Sequence, residues 1–281
     1  MKILVTGAGG QLGSDVVACL RERNVDCIGT HTEDMDVARE CLVREVLLRE
    51  RPDAVIHCAA YTAVDRAEEE EALCRQVNIT GTENIARVCG ELDIKLLYIS
   101  TDYVFPGTGS RPYETYDRTG PLSVYGRTKL EGERAVRALV PRYFIVRVSW
   151  IFGRNGNNFV KTMLKLGTMK QEINVVDDQI GSPTYTRDLA SLLYDIIKTE
   201  EYGIYHASNE GYCSWAEFAE EIFNISGLPV KVNRIPGKLY PSKAARPQNS
   251  RLSKQSLDDH NFSRLPGWKD ALIRYIKEIN V

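Results

Sequence analysis

The chain opens on an apolar run, Lys2–Thr6, that ends in Gly7-Ala8-Gly9-Gly10-Gln11-Leu12-Gly13. No other feature of the sequence limits the fold as much. Ile3, Leu4 and Val5 read as a core strand. Gln11–Arg23, with Leu12, Val16, Val17 and Leu20 on one face, reads as a helix. The glycines between them permit a sharp turn and a close approach of the backbone to a ligand. A helix starting directly after such a turn offers free N–H groups and a positive dipole end to phosphates. The pattern G-x-x-G-x-x-G, with a strand before and a helix after, is the context of a dinucleotide pyrophosphate site. The competing reading is a tight turn that holds no ligand.

Up to about residue 150, short β-branched runs alternate with longer amphipathic stretches. Strands are expected at Val25–Gly29, Ala54–His57, Lys95–Ser100 and Tyr143–Ser149. Helices are expected at Ala38–Arg49 with Leu42, Val46 and Leu47 inward, at Leu73–Glu91, and at Tyr125–Leu139. Such alternation implies right-handed βαβ units and a parallel sheet covered on both faces, a Rossmann-type doubly wound α/β fold. After Trp150 the rhythm changes. Asn157–Leu166 and Arg187–Thr199 read as helices, Ile173–Val176 and Gly203–His206 as strands. Ser214-Trp215-Ala216-Glu217 is a capping box opening a helix that ends near Gly227. Pro229–Arg251 reads as an irregular, basic loop, and Trp268–Ile279 as the last helix. The expected organisation is a dinucleotide-binding unit at 1–151, to which 184–206 returns, and a smaller mixed substrate-binding region at 152–183 and 207–281.

Composition narrows the partners. A net charge of −2 gives no basic footprint for nucleic acid. No run approaches the ~20 apolar residues that span a bilayer, and the N-terminus reads as a core strand rather than a secretory leader. The seven cysteines (Cys19, Cys27, Cys41, Cys58, Cys74, Cys89 and Cys213) are odd in number, widely spaced and without a C-x-x-C pair. They form neither a disulfide framework nor a zinc site, which points to a reducing cytoplasm. His31, His57, His206 and His260 lack metal-ligand spacing, so no metal is expected.

An acid about 20 residues past the glycine turn usually meets the adenosine ribose. Here the second strand ends Gly29-Thr30-His31, with Asp34 and Asp36 beyond. Asp36 is a candidate for the adenine or ribose edge and Arg39 for a 2′-phosphate; alternatively Asp36 caps a helix starting near Val37. NADH and NADPH both stay open. Tyr125 and Lys129, at i and i+4, share a helix face, and Thr101 follows the fourth strand at its carboxyl end. Ketone reduction needs a proton for the developing alkoxide. A tyrosine with its pKa near ~10 is sluggish in that role, and a neighbouring ammonium would lower it. The lysine can also hold a nicotinamide ribose, and the Thr101 hydroxyl can orient the carbonyl oxygen. Alone, Y-x-x-x-K is more often a solvated helix face. Together with the glycine turn, Asn78 in an earlier helix and Thr101, it becomes a much stronger pattern.

On these residues the chain resembles the extended short-chain dehydrogenase/reductase family, and within it the dTDP-4-dehydrorhamnose reductase group. The matching segments are TGAGGQLG at 6–13, HCAAYTAVDRAE at 57–68, VN at 77–78, STDYVFPG at 100–107 and PLSVYGRTKLEGE at 121–133. They continue as RVSWIFG at 147–153, GNNFVKTML at 156–164, DQIGSPT at 178–184 and ARPQNSRL at 245–252. The resemblance implies Thr101, Tyr125 and Lys129 as the catalytic set. Asp102 and Tyr103 would touch the sugar beside the carbonyl, and Trp150 would pack on the hexose or thymine. Gly7, Gly10, Gln11 and Leu12 would cradle the pyrophosphate. Thr30, His31, Asp36 and Val37 would lie at the adenosine end, with Cys58, Ala59, Ala60, Tyr61 and Asn78 along the cofactor. Asn158 and Arg246 would meet the nucleotide-sugar diphosphate.

Each role has a plainer competitor: Trp150 as core, Asp102 as a turn cap, Arg246 as a solvated cation. Glu68–Glu71 reads as a solvated helix face. Some relatives are described as holding magnesium with acidic residues at a dimer interface; Asp15 stands in the first helix, but no acidic cluster accompanies it. Arg127, where a small or neutral residue is usual, is a departure expected on the outer helix face. The implied activity is NAD(P)H-dependent reduction of the C4 ketone of dTDP-4-dehydro-L-rhamnose to dTDP-L-rhamnose, by a cytoplasmic monomer or homodimer. The alternatives are a reductase or epimerase of another nucleotide-linked keto-deoxyhexose, or a non-catalytic NADP-binding regulatory subunit.

Overall fold

The first strand, β1 (Lys2–Thr6), is buried at every residue after Lys2, as its unbroken apolar run requires. The computed structural model describes residues 1–279. After β1 come α1 (Gln11–Glu22), β2 (Asp26–Thr30), α2 (Glu40–Glu50) and β3 (Ala54–His57). Next are α3 (Val64–Ala67), α4 (Glu71–Arg75) and α5 (Gly81–Glu91), the last two joined by a π-helical turn, Gln76–Thr80. The single helix expected over Leu73–Glu91 thus carries a π turn, and Asn78 sits in it. β4 (Lys95–Thr101), α6 (Val124–Leu139) and β5 (Tyr143–Val148) complete the first half.

The second half runs β6 (Ile151–Phe152), α7 (Phe159–Gly167), β7 (Glu172–Val176), β8 (Ile180–Gly181), β9 (Thr184–Tyr185), α8 (Thr186–Ile197) and β10 (Gly203–Ala207). It ends with β11 (Asn209–Glu210), β12 (Cys213–Ser214), α9 (Trp215–Ser226), β13 (Lys231–Ile235), α10 (Gln255–Asp258), β14 (Leu265–Gly267) and α11 (Trp268–Ile279). The capping box at Ser214 forms: its hydroxyl accepts the Glu217 N–H at 3.1 Å, and the Glu217 carboxylate accepts the Ser214 N–H at 2.7 Å. Gly227 ends that helix in the left-handed region, φ 66°.

Six strands make one parallel sheet in the order β2-β1-β3-β4-β5-β10. It is a Rossmann-type α/β fold. Helices α1 and α8 bury Val16, Leu20, Leu189, Leu193 and Ile196 on one face against Ile3, Val5 and Ile56. Helices α2, α5 and α6 bury Val43, Val46, Leu47, Ile85, Val88 and Val136 on the other, against Leu4, Val55, Leu96 and Ile145. A third apolar cluster, including Phe152, Val160, Phe218, Ile222, Trp268, Leu272 and Tyr275, holds the later elements together. The strand order reverses between β1 and β3, and a doubly wound sheet opens its ligand crevice at such a point.

Besides the π turn, two further details differ from expectation. Val43, not Leu42, joins Val46 and Leu47 as the buried stripe of α2, because 43, 46 and 47 follow the i, i+3, i+4 spacing of one face. The segment Pro229–Arg251 is not wholly irregular: β13 pairs in parallel with β7, Lys231 opposite Glu172 through Ile235 opposite Val176. Its sequence, Lys-Val-Asn-Arg-Ile, carries only two apolar residues, too few to announce a strand without the partner it pairs with.

Beneath the crevice lies a buried ion pair. Arg147 on β5 meets Glu133 on α6 through Nε–Oε1 at 2.8 Å and Nη2–Oε2 at 2.7 Å, with side-chain exposures of only 4% and 3%. The Ser100 hydroxyl donates to the same carboxylate, and Arg147 Nη1 donates to the Thr115 carbonyl at 3.0 Å. Removing one partner strands the other charge in a dry site. Glu133→Leu is therefore expected to destabilise the fold by about 3–5 kcal/mol in urea unfolding, and the double variant Glu133→Leu/Arg147→Met to recover much of that loss.

Candidate active site

Gly7 and Gly13 of the turn have no room for side chains. Gly7 takes φ +65°, and a Cβ there would lie 2.8 Å from the Ala59 backbone; a Cβ on Gly13 would lie 2.2 Å from the Gly7 carbonyl. The Gly10 N–H closes the turn onto Gly7 O at 2.9 Å. Helix α1 starts with no side-chain cap, so its first N–H groups are free for an anion. The residues present therefore fit a dinucleotide pyrophosphate.

A cavity of about 450 Å³ extends from the turn, lined by Gly7, Gly10, His31, Asp36, Val37 and the stretch Cys58–Tyr61. A second, of about 430 Å³, is lined by Gly10, Gln11, Leu12, Thr101, Asp102, Tyr103, Tyr125, Lys129, Trp150 and Arg246. Gly10, Cys58 and Ala60 line both, so the two form one crevice. Most residues singled out in the sequence converge on it from the ends of β1, β3, β4 and β5 and the start of α6.

Four of them, Thr30, Arg39, Asn78 and Asn158, stand outside its lining. Thr30 is buried in β2 beside Val5. Asn78 stands behind the crevice wall: its Oδ1 accepts the Tyr61 N–H at 2.8 Å, and its Nδ2 donates to Tyr61 O and Thr128 Oγ1, each at 3.1 Å. Asn158 caps α7 through the Lys161 N–H and donates to Gln11 Oε1, Gly153 O and Tyr275 Oη; its amide is committed within the protein. Asp36 lines the crevice and also accepts the Ala38 N–H at 3.0 Å. Arg39 is exposed and lies outside the lining. Arg127 is exposed, as its place on the helix predicted. The sequence does not single out Thr62, Val64, Asn157 and Trp215 in the cavity that holds Thr101 and Tyr125, nor Glu33, Leu73 and Val77 in the cavity beside the glycine turn. Thr62, Val64, Val77 and Asn157 lie inside the matching segments, where their neighbours were named instead, and the capping box gave Trp215 a helical explanation.

The acidic run is not a free face. Glu68 accepts the N–H of Val124, the first residue of α6, at 2.8 Å. Glu70 bonds the Tyr61 hydroxyl and Arg66. Together with the Ser123 hydroxyl, which accepts the Gly126 N–H, Glu68 fixes where α6 begins and hence where Tyr125 and Lys129 point. Asp15 accepts the Thr186 hydroxyl, and among the described residues no group of three or more His, Cys, Asp or Glu could hold a metal ion.

Burial governs the electrostatics. The Lys129 ammonium lies 4.1 Å from the centre of the Tyr98 ring, and burial draws its pKa down to about 7 against the opposing pull of Glu133. Tyr125 is pushed above its ordinary value, burial being the largest cause and the Thr101 hydroxyl opposing it. The lowering of Tyr125 expected from Lys129 does not arise: the Thr101 hydroxyl is the group that lowers it, and burial exceeds that. Asp102 is raised to about 6, again chiefly by burial, with the Ser250 and Thr101 hydroxyls tempering the rise. The Thr101 hydroxyl donates to Asp102 Oδ1 at 3.0 Å while its oxygen accepts the Tyr103 N–H at 3.2 Å. Arg246 meets Asp65 at 2.6 Å and keeps its buried Nε unpaired.

Fold and site together define a nicotinamide-dinucleotide reductase of the extended short-chain type. The family described as RmlD substrate binding domain matches residues 1–281. A spore coat polysaccharide biosynthesis protein of Bacillus subtilis is 40% identical, covering 99% of this chain and 97% of that one. The structure of a dTDP-4-dehydrorhamnose reductase from Clostridium acetobutylicum superimposes with a TM-score of 0.98 at 42% identity, covering all of both chains. That of a Bacillus anthracis dTDP-4-dehydrorhamnose reductase in complex with NADP gives 0.96 at 41%, covering 99% of this chain and 100% of that one. The chain belongs to this family of dTDP-4-dehydrorhamnose reductases.

The Lys129 pKa carries a stability consequence. Between about pH 7 and ~10.4, the unfolded chain binds a proton here that the folded protein has shed, so this site's contribution to stability rises with pH. Below that window the buried ammonium is a net cost. Lys129→Met is expected to be more stable than the wild type at pH 6 by roughly 1–3 kcal/mol, the gap closing towards pH 10. Urea unfolding across that range measures it.

Proposed function

We propose that the chain uses NADPH or NADH to reduce the C4 ketone of dTDP-4-dehydro-L-rhamnose, giving dTDP-L-rhamnose for cell-surface polysaccharide. The observation that carries this is the convergence of Thr101, Tyr125 and Lys129 on one cavity that opens onto the glycine turn. Residues 1–151 and 184–206 would hold the cofactor, and the remainder the sugar nucleotide. The chemistry required of the bound nicotinamide is a hydride for C4.

The protein's own groups do the rest. The free N–H groups at Gln11 and Leu12 take the pyrophosphate, and Asn78 keeps the Tyr61 segment in place beside it. Thr101, its oxygen fixed by the Tyr103 N–H, turns its one hydrogen from Asp102 to the ketone oxygen and so orients it. Burial keeps Tyr125 protonated until negative charge develops on that oxygen, and its hydroxyl then delivers the proton. Lys129, close to neutrality in the open crevice, gains its proton readily once phosphate and phenolate charge are near. Asp102, Tyr103 and Trp150 bound the hexose, and the free Nε of Arg246 suits a diphosphate oxygen.

Among the described residues no helix is long and apolar enough to cross a membrane, and the seven thiols are unpaired, which suits a reducing cytoplasm. A monomer or homodimer would serve, since no part of the reading calls on a second chain. The test is NADPH and NADH oxidation by purified protein with dTDP-4-dehydro-L-rhamnose. Turnover is expected, with a loss of ~10²-fold or more in Tyr125→Phe, as removal of a general acid produces. Cofactor binding without turnover would overturn the reading in favour of another keto-sugar or a regulatory role.

A further inference from the structure

Thr101 and Asp102 adjoin at the carboxyl end of β4, and both are buried. Thr101 caps the short helical turn Asp102–Val104, its hydroxyl oxygen accepting the Tyr103 N–H at 3.2 Å. Its hydrogen goes to Asp102 Oδ1 at 3.0 Å. A hydroxyl carries one hydrogen and two lone pairs, and an ionised carboxylate can only accept. With Asp102 ionised, the Thr101 hydrogen is therefore held inside the protein, and none is left for the cavity that both residues line.

The surroundings of Asp102 work against that ionised form. Its Oδ2 is buried with no hydrogen-bond partner among the described residues, and an unmatched carboxylate oxygen away from water is costly. The cations nearby are engaged elsewhere. Arg246, in the loop after β13, meets Asp65 on α3. Lys129, on α6, lies over the Tyr98 ring, and Arg147, on β5, pairs with Glu133. The other groups around it, Tyr103, Tyr125 and Ser250, bring hydroxyls and no positive charge. Burial accordingly lifts the carboxyl to about 6.

Protonation reverses the contact. The Asp102 O–H then donates to one lone pair of Thr101, the Tyr103 N–H keeps the other, and the Thr101 hydrogen turns into the cavity. Resting on the reductase reading above, we propose that Asp102 is a positioning residue that works in its protonated form, directing the Thr101 hydrogen to the ketone oxygen. The Asp102 proton comes from solvent and is not consumed: it stays on the carboxyl while Tyr125 gives its own proton to the ketone oxygen. Since the folded protein raises this carboxyl, the competent form is present below about pH 6 and is lost as pH rises through that value.

The test is kcat/KM for dTDP-4-dehydro-L-rhamnose at saturating NADPH, from about pH 5 to about pH 9, which reports the form of the protein that meets the sugar. The wild type is expected to fall about tenfold or more as Asp102 ionises, the strength of a hydrogen bond to a charged group. A second fall is expected as Lys129 loses its proton through about pH 7. Asp102→Asn can turn an N–H to Thr101 at every pH. It is expected to lose the first fall and keep the second; the shape of its profile, not the height, is the readout. In the residual turnover of Thr101→Val, which has no hydrogen to direct, the first fall is expected to vanish, and adding Asp102→Asn to change nothing further. Should Asp102→Asn fail to fold, the wild type and Thr101→Val decide by the same profiles. A wild type with no fall through about pH 6 would overturn the inference while leaving the reductase reading intact, as would an Asp102→Asn or Thr101→Val profile that keeps the first fall. A wild type that binds NADPH but turns over at no pH overturns the reductase reading, and the role of Asp102 with it.

Discussion

Glu133 and Arg147 are almost wholly withdrawn from water, and much of the site hangs on their contact. Glu133 stands one turn beyond Lys129 on α6; Arg147 lies opposite Ser100 in the pairing of β5 with β4. Ser100 donates to the same carboxylate and is followed by Thr101. The Glu133 carboxylate thus ties the helix that carries Tyr125 and Lys129 to β5 through Arg147 and to the strand that carries Thr101 through Ser100. A dry ion pair gives little net stability over an apolar packing of equal volume. Here it also places a negative charge beside Lys129, whose pKa it raises against the effect of burial.

The other supports of the site follow the same logic, in which a polar side chain away from the chemistry fixes a backbone that carries it. Asn78, in a π turn, holds both backbone groups of Tyr61. Glu68 receives the first N–H of α6. Asp65 receives the Ala244 N–H and the Arg246 guanidinium, joining α3 to the loop after β13. π turns recur where a helix must displace one residue for a purpose, and this one turns an amide inward that a regular helix would direct differently.

The strand–glycine–helix beginning, the alternation of the first half and the Tyr125/Lys129 spacing were legible because each is local: a period, a turn too tight for Cβ atoms, two residues on one helix face. The capping box at Ser214 was legible for the same reason. The pairing of β13 with β7 was hidden, since a short strand with two apolar residues acquires its meaning from its neighbour. Glu68 read as a solvated acid because its partner lies 56 residues away. Asn158 read as a phosphate ligand because a motif says which residue is present and not which hydrogen bonds it has already made.

The sequence by itself determined the parallel α/β architecture, the tight glycine turn and the shared helix face of Tyr125 and Lys129, since periodicity and backbone sterics act over a few residues. Tertiary structure alone decided the electrostatics and the walls of the cavity. Burial, not the neighbouring ammonium, dominates at Tyr125 and Lys129, and Trp215 reaches Trp150 only through the meeting of β8 and β12. Solvent exclusion and long-range contact depend on the whole packed chain, and no local pattern of residues records them.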